Sequence, residues 1–419
     1  MSSQVVRFSG MQRPVVFADC PEIPLALQEI APSWHFDIQE DSGISRSPAI
    51  LMRKSEGAYG IGVPWRESPW WADTLVGAIC SFAVDLIESH LMDNPGLLGL
   101  HGAAARFHDG MVLFPAERRI GKSTLVTRLL LDGIRVYGDD LIALDAQGRG
   151  MAYGFPPRLR LPFPETAGPA LREFVGGAGG ARDEDYLYLS PQLPNLAPHG
   201  ETAPLSAIVL LSRERDVETR LRTLPESEGL HHLAAQYLAR ETSTDEVLGR
   251  CHKLAETLPT YCLHYSCLEE ASACLREHFS RQQGAATLRA ASGGGSWPEM
   301  STLSAPSVLE EDPPPFLQET VDSELPELAE ASAYVQVDGV KAQRLDGDLF
   351  LSHRQQGSIH RLNPIGASLW GLLAVPIRLE EALETFRTAF PDVEPEQLER
   401  DLQRIFRELL SEDLIRPVN

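Results

Sequence analysis

The clearest period in the chain lies near its C-terminus, where Leu398, Leu402, Ile405 and Leu409 recur at spacings of four, three and four and predict one buried face of a helix over 395–410. Two shorter helices are predicted ahead of it, Ile365 to Leu373 after Asn363-Pro364, and Leu379 to Phe390. Before them, alternation in Ala333 to Val337, Leu349 to Leu351 and Ser358 to Leu362 predicts three short strands, so that 331–419 reads as a small α+β unit. In the middle of the chain Met111 to Phe114 is an all-apolar strand, Ser123 to Leu131 an amphipathic helix ended by Gly133, and Ile134 to Tyr137 a second strand. The stretch from Leu258 to Ala271 reads as a strand entering a helix, and Asp73 to Leu91 as an apolar helix that docks on the central part of the chain. Between 283 and 330 no apolar period is visible.

Composition turns these elements into an organisation. The chain has 419 residues, too many for one compact core, and 37 Lys+Arg against 59 Asp+Glu give a net charge of −22, which argues against a nucleic-acid partner. Residues 283–330 hold nine of the acidic side chains against one basic, Arg289, and carry Gly293-Gly294-Gly295 and Pro313-Pro314-Pro315. Such a stretch buries too little apolar surface to offset its ordering entropy and reads as an extended linker. The expected division is an N-terminal α+β region over 1–94, a core over 95–282, the linker over 283–330 and the C-terminal unit over 331–419. The apolar run from Leu75 to Leu86 is broken by Gly77, Cys80, Ser81 and Asp85 and is too short to span a bilayer; the N-terminus lacks a basic segment followed by an apolar one. The six cysteines form no CxxC pair. A cytoplasmic protein with reduced thiols and no membrane partner is the expectation.

The chemistry concentrates after the Met111 strand. Ala116-Glu-Arg-Arg-Ile-Gly-Lys-Ser123 has the spacing of a phosphate-binding loop, with Ala116 in place of the first glycine and Arg118 and Arg119 in the middle. Such a loop needs backbone N–H groups and a helix N-terminus aimed at a polyphosphate, a Lys that reaches it and a hydroxyl for Mg2+. Lys122 and Ser123 supply the last two, and Ile120, Gly121 and Thr124 complete the turn into the helix. The second strand ends in Gly138-Asp139-Asp140, where one carboxylate can hold a metal and the other accept a proton. Upstream, Leu100-His101-Gly102 places a histidine just before the loop strand. Each signal alone is weak; their order and spacing strengthen one another.

Together His101-Gly102, Gly121-Lys122-Ser123 and Asp139-Asp140 resemble the HPr kinase family of bacterial serine kinases, over roughly 95–165 and more weakly to about 280. The resemblance implies an α/β P-loop kinase core that binds ATP phosphates through Lys122 and the loop, Mg2+ through Ser123, Asp140 and a further acidic residue, for which Glu165 lies at about the right distance, and that uses His101 with Asp139 or Asp140 to deprotonate a serine. Ala116 and Arg119 stand where the family has glycines, and no counterpart of its Arg-Gly-rich signature loop is visible, which argues against HPr itself as substrate.

The run Ile359 to Trp370, with Leu362-Asn363, Gly366-Ala367 and Trp370, and the Leu398 to Leu410 helix resemble the PqqD family of peptide-binding chaperones in ribosomal peptide natural-product pathways. A winged-helix-like α+β unit is implied, with a leader peptide added as a strand beside Ser358, Ile359, His360, Arg361 and Leu362 and packed against Leu398, Leu402 and Ile405. A DNA-binding winged helix is disfavoured, because 331–419 has ten Lys+Arg against fourteen Asp+Glu. The two resemblances imply an ATP- and Mg2+-dependent kinase for a hydroxyl, foremost serine, of a precursor peptide. A scaffold that binds nucleotide without catalysis is the alternative, and a small-molecule kinase a third. Other maturation enzymes and a second copy of the chain are partners these resemblances allow.

Three features stay outside this picture. Trp65, Trp70 and Trp71 fit domain packing better than an interaction patch. Cys251-His252 and Cys262-x-His264-x-x-Cys267 match no usual zinc spacing. Arg158 and Arg160 read as loop charges with nucleotide or peptide contact as the alternative.

Overall fold

The computed structural model describes residues 3–40, 47–108, 110–115, 120–164, 167–238, 242–280, 300–303, 325–329, 332–353, 357–391 and 393–418. The N-terminal part is a six-stranded sheet in the order Phe36–Glu40, Ser3–Phe8, Val15–Ala18, Ile50–Ser55, Ala58–Gly62, Trp70–Ala72. Val6, Phe8, Val15 and Phe17 turn into a core closed by Phe82 and Ile79 of the Leu75–Asp93 helix. That helix starts on Thr74, whose side chain accepts from Gly77 N at 3.0 Å. It is long and apolar enough to cross a membrane, longer than the run read from sequence, but 72% of its apolar window is buried inside the fold. Its Asp85 is ion-paired with Arg66 at 2.5 Å. Ala143 and Leu238 of the next sheet join the same core, so the helix docks there as its apolar sequence predicts.

The central sheet has nine strands. Its main path runs Arg149–Ala152, Leu141–Leu144, Leu98–Phe107, Gly110–Pro115, Thr202–Arg213, Thr260–Tyr265, Arg220–Leu224. Arg135–Gly138 and Tyr237–Leu238 also pair with the long Leu98–Phe107 strand. The sheet is mixed: Gly110–Pro115 runs parallel to Thr202–Arg213, which runs parallel to Thr260–Tyr265, whereas Leu98–Phe107 is antiparallel to its neighbours. Gly110–Pro115 is buried along its whole length, as an all-apolar run between two covered faces must be. Arg128 secures the following helix, Lys122–Leu131, to the Leu268–Ser280 helix: its guanidinium holds Asp132 at 2.8 Å and Glu269 at 3.0 Å, and Asp132 accepts from Ser272 Oγ at 2.5 Å.

At the C-terminus the helices fall where the periods place them, Pro364–Leu372, Leu379–Ala389 and Pro395–Ser411. The strands are more numerous than the sequence shows. Ala333–Gln336 lies in a three-stranded sheet with Ile377–Arg378 and Ile415–Val418, and a four-stranded sheet runs Met300–Leu303, Ser358–Leu362, Asp348–His353, Val340–Leu345. Val340–Leu345 alternates polar and apolar residues too weakly to read as a strand, and Met300–Leu303 comes from the segment read as linker.

The two inner strands of that sheet, Asp348–His353 and Ser358–Leu362, are buried on both faces, which separates this arrangement from a module held by its tether alone. Leu349, Leu351 and Leu362 join Leu398, Leu402, Ile405 and Leu409 in the module's own core. Phe350 and Ile359 join Leu230, Val247 and Cys251 of the Glu226–Ala235 and Thr244–Thr257 helices. Burial of each such side chain contributes roughly 1.5–3 kcal/mol. Polar pairs frame the contact: Arg361 meets Glu228 at 2.5 Å and Asp348 at 2.6 Å, Ser352 Oγ donates to Asp245 at 2.6 Å, Asp346 accepts from Ser227 N at 3.0 Å, and Tyr237 OH donates to Gly357 O at 3.1 Å.

Candidate functional site

The loop strand delivers the chain to Gly121, which caps the Lys122–Leu131 helix at φ +100°. An L side chain is strained there, and a Cβ would stand 3.3 Å from the Tyr265 hydroxyl. That hydroxyl is buried and has no hydrogen-bond partner among the described residues. Among the described residues no side chain caps the first turn, and a helix N-terminus carries the N–H groups and dipole that suit an anion. Lys122 is 6% exposed and opens the helix; Ser123 and Thr124 follow, half-buried. Ile120 precedes Gly121 and packs on the core beneath the helix. Ala116, Arg118, Arg119 and Glu165 lie outside the described residues.

Asp139 and Asp140 form a bend between Arg135–Gly138 and Leu141–Leu144, and the latter pairs with Leu98–Phe107 so that Leu141 stands opposite His101. The histidine therefore lies inside the strand that precedes the loop strand, 2% exposed. Its Nε2 lies 2.9 Å from Asp140 Oδ1, and its Nδ1 lies 2.7 Å from Gln236 Oε1. Asp139 turns the other way. Its carboxylate accepts from Arg158 N at 3.0 Å and from the Ser123 hydroxyl. Burial, and next the charge of Asp140, push Asp139 up to about 7, against the pull of these two hydrogen bonds and of Lys122.

The structure thus brings His101, Lys122, Ser123, Asp139 and Asp140 together. It adds Gln236, and it draws in Arg158, which the sequence reads first as a loop charge and which the structure places in the Arg158–Arg160 strand. Gln236, the C-cap of the Glu226–Ala235 helix, carries no motif, and only the fold brings it to His101. Arg158 contributes its backbone N–H to Asp139, its guanidinium 3.8 Å from Asp140, and a stack on Tyr186 with 4.6 Å to the ring centroid. Beside the paired carboxylates a cavity of about 50 Å3 is walled by Cys80, Ala83, Val84 and Ile87 of the Leu75–Asp93 helix and by Tyr153, Phe155 and Tyr188.

The residues fit a magnesium ion by their donor chemistry. Two adjacent carboxylates, one fully buried and short of charge compensation, and a hydroxyl are the hard oxygen donors Mg2+ selects. Among the described residues no group of three or more His, Cys, Asp or Glu could hold a metal.

At the C-terminal edge the sequence expectations need correction. Leu398, Leu402 and Ile405 are at most 1% exposed and fill the module's own core, so they cannot line an open groove. Their period announced a buried face without saying what buries it. Arg361 is engaged with Glu228 and Asp348, while Ser358, Ile359, His360 and Leu362 are buried. His360 Nε2 lies 2.8 Å from Ser358 Oγ, and burial pushes its pKa down to about 4.

Residues 348–415 match the family model described as coenzyme PQQ synthesis protein D (PqqD). The HPr kinase/phosphorylase of Brevibacillus brevis (strain 47 / JCM 6285 / NBRC 100599) is 26% identical over 188 residues, 44% of this chain and 58% of that protein, so the chain spans little more than half the length of the curated relative it matches. Among solved structures, the Hpr(Ser) kinase/phosphatase from Coxiella burnetii is similar at 12% identity over 44% of this chain and 99% of its own, with a TM-score of 0.24. TbiB1 in complex with the TbiA(beta) leader peptide is similar at 27% identity over 20% of this chain and 98% of its own, with a TM-score of 0.19.

Proposed function

The chain carries a PqqD domain at its C-terminus and an N-terminal region homologous to HPr kinase/phosphorylase, and from that premise we propose that it is an ATP- and Mg2+-dependent kinase for a hydroxyl, foremost serine, of a ribosomally made precursor peptide whose leader the C-terminal domain captures. The carrying observation is the convergence of the Lys122–Leu131 helix start and the Asp139-Asp140 bend, joined by the hydrogen bond from Ser123 to Asp139.

The geometry favours a division of labour within the pair. Asp140 touches His101 and its side chain is 37% exposed, the position of a base that must meet substrate. Asp139 is buried against Ser123 and belongs to the metal side with it, although the sequence resemblance had put Asp140 there. Bound Mg2+ would neutralise charge on the β and γ oxygens. The acceptor hydroxyl, entering from the cavity side, gives its proton to Asp140, which His101 orients. Its oxygen bonds to the γ-phosphorus as the bond to the β–γ bridging oxygen breaks, giving phosphoserine and ADP. Lys122 and the first amides of the helix hold the phosphates in line.

The test is mass spectrometry of the precursor encoded beside this chain after incubation with protein, ATP and Mg2+. A gain of one phosphate, lost in Lys122→Ala and weakened when 331–419 is removed, supports the reading. Nucleotide binding without transfer would leave a scaffold, and transfer indifferent to 331–419 a small-molecule kinase.

A further inference from the structure

The Ser358–Leu362 strand already has a neighbour on the side away from its hairpin. Met300–Leu303 lies antiparallel to it, with Met300 opposite Leu362, Ser301 opposite Arg361, Thr302 opposite His360 and Leu303 opposite Ile359. The same strand runs beside the Glu226–Ala235 helix. It comes from the acidic Gly- and Pro-rich segment, whose composition cannot sustain a strand alone, so the edge acts as its template. This edge is the one at which a leader would add, and main-chain pairing at an edge tolerates more than one sequence.

We propose that Met300–Leu303 is a resident stand-in for the leader: the chain occupies its own peptide edge with four linker residues, and an incoming leader exchanges with them. The inference rests on the reading that this edge receives the leader. It also describes the partner. A leader in the same register runs antiparallel to Ser358–Leu362, and Met300-Ser-Thr-Leu303 gives its pattern, uncharged and extended with an apolar residue at each end. A tethered strand competes at an effective concentration in roughly the millimolar range, so it lowers the apparent affinity of every peptide supplied in trans. A peptide that matches the edge no better than the resident stays out.

The experiment uses the full chain with Ser301→Pro and Thr302→Pro together. Adjacent residues of a strand point their N–H groups to opposite sides, so one of the two prolines removes a donor aimed at the edge. A second chain replaces 299–304 by Gly-Ser repeats. Amide hydrogen exchange should accelerate at least about tenfold over 357–363 in both chains while 348–353 keeps its protection, and a labelled synthetic peptide of residues 297–306 should bind both at least about tenfold tighter than it binds the wild type. Unchanged protection, equal peptide affinity, or loss of protection over 348–353 as well would each overturn the proposal, the last by making the strand a structural part of the sheet. Neither readout involves nucleotide or precursor. Phosphoryl transfer can therefore fail with the exchange intact, and the exchange can fail with transfer intact.

Discussion

The cluster at Asp139 and the edge at Ser358–Leu362 differ in where their parts come from. His101, Lys122, Ser123, Asp139 and Asp140 lie on successive elements between positions 101 and 140, and pairing of neighbouring strands suffices to assemble them. The edge is completed from far away: Arg361 meets Glu228 at a separation of 133 residues, Ser352 meets Asp245 at 107, and Tyr237 meets Gly357 at 120. The proposed chemistry is concentrated in one stretch, whereas the proposed recognition edge depends on how two parts of the chain are put together. One helix belongs to both. Glu226–Ala235 receives Arg361 near its start, and its C-cap Gln236 stands against His101.

The largest effect expected from this contrast is at the local cluster. Asp140→Asn removes the proposed base and leaves the strand pairing intact, so kcat for the precursor should fall by about 10²–10⁴ with the melting temperature nearly unchanged. A loss below tenfold in a single-turnover assay would move the base elsewhere and dissolve the division of labour between the two carboxylates.

Next comes the assembled face. Arg361→Ala leaves Glu228 and Asp348 without their common cation, which for a mostly buried charge pair costs about 2–5 kcal/mol. In calorimetry the C-terminal module should then melt ahead of the core, while transfer to a peptide lacking its leader stays as it was. A single unshifted transition would show that Phe350 and Ile359 hold the face without the charges.

These two variants also mark what could be read from the sequence alone. Gly121-Lys122-Ser123, the Asp pair and His101 could be proposed together because their residue types follow in a fixed order on adjacent elements, and the structure brings them together. The helices of the C-terminal module were equally plain, since the period of Leu398, Leu402, Ile405 and Leu409 is long and uninterrupted. What stayed hidden is whatever depends on a remote partner. The helix period could not say that these four residues fill the module's own core, nor that Phe350 and Ile359 turn toward the Glu226–Ala235 and Thr244–Thr257 helices. Gln236 had no motif, and four residues of an acidic, proline-rich stretch gave no sign that they form a strand.

A smaller effect should appear where the two regions meet. Gln236→Leu removes the hydrogen-bond partner of His101 Nδ1 without touching Asp140 or the phosphate loop, so kcat should drop roughly tenfold while KM for ATP holds. The ring-nitrogen shifts of His101 in an NMR spectrum should change with it, and Gln236→Glu should restore a partner at Nδ1. A fall in ATP affinity of the same size would make Gln236 a structural cap only.

The smallest effect separates the two regions by sign. In metal-free protein Asp139 is pushed up to about 7 by burial and by Asp140, from 3.8 when unfolded. Between those values the folded state binds more protons, and this group makes the protein less stable as pH rises. His360 is pushed down to about 4 by burial, from 6.5 when unfolded; there the unfolded state binds more protons, and this group makes the protein more stable as pH rises. Asp139→Asn should therefore tilt the stability profile between pH 4 and 7 upward, and His360→Asn should tilt it downward between pH 4 and 6.5. Each change is bounded by one proton, about 1.4 kcal/mol per pH unit. Urea titrations in EDTA across that range measure both slopes. If Mg2+ and nucleotide are then added, the Asp139 contribution should vanish, because a bound cation favours the ionised carboxylate, while the His360 contribution persists. Equal responses of the two slopes to Mg2+ would place the ion somewhere other than the Asp pair.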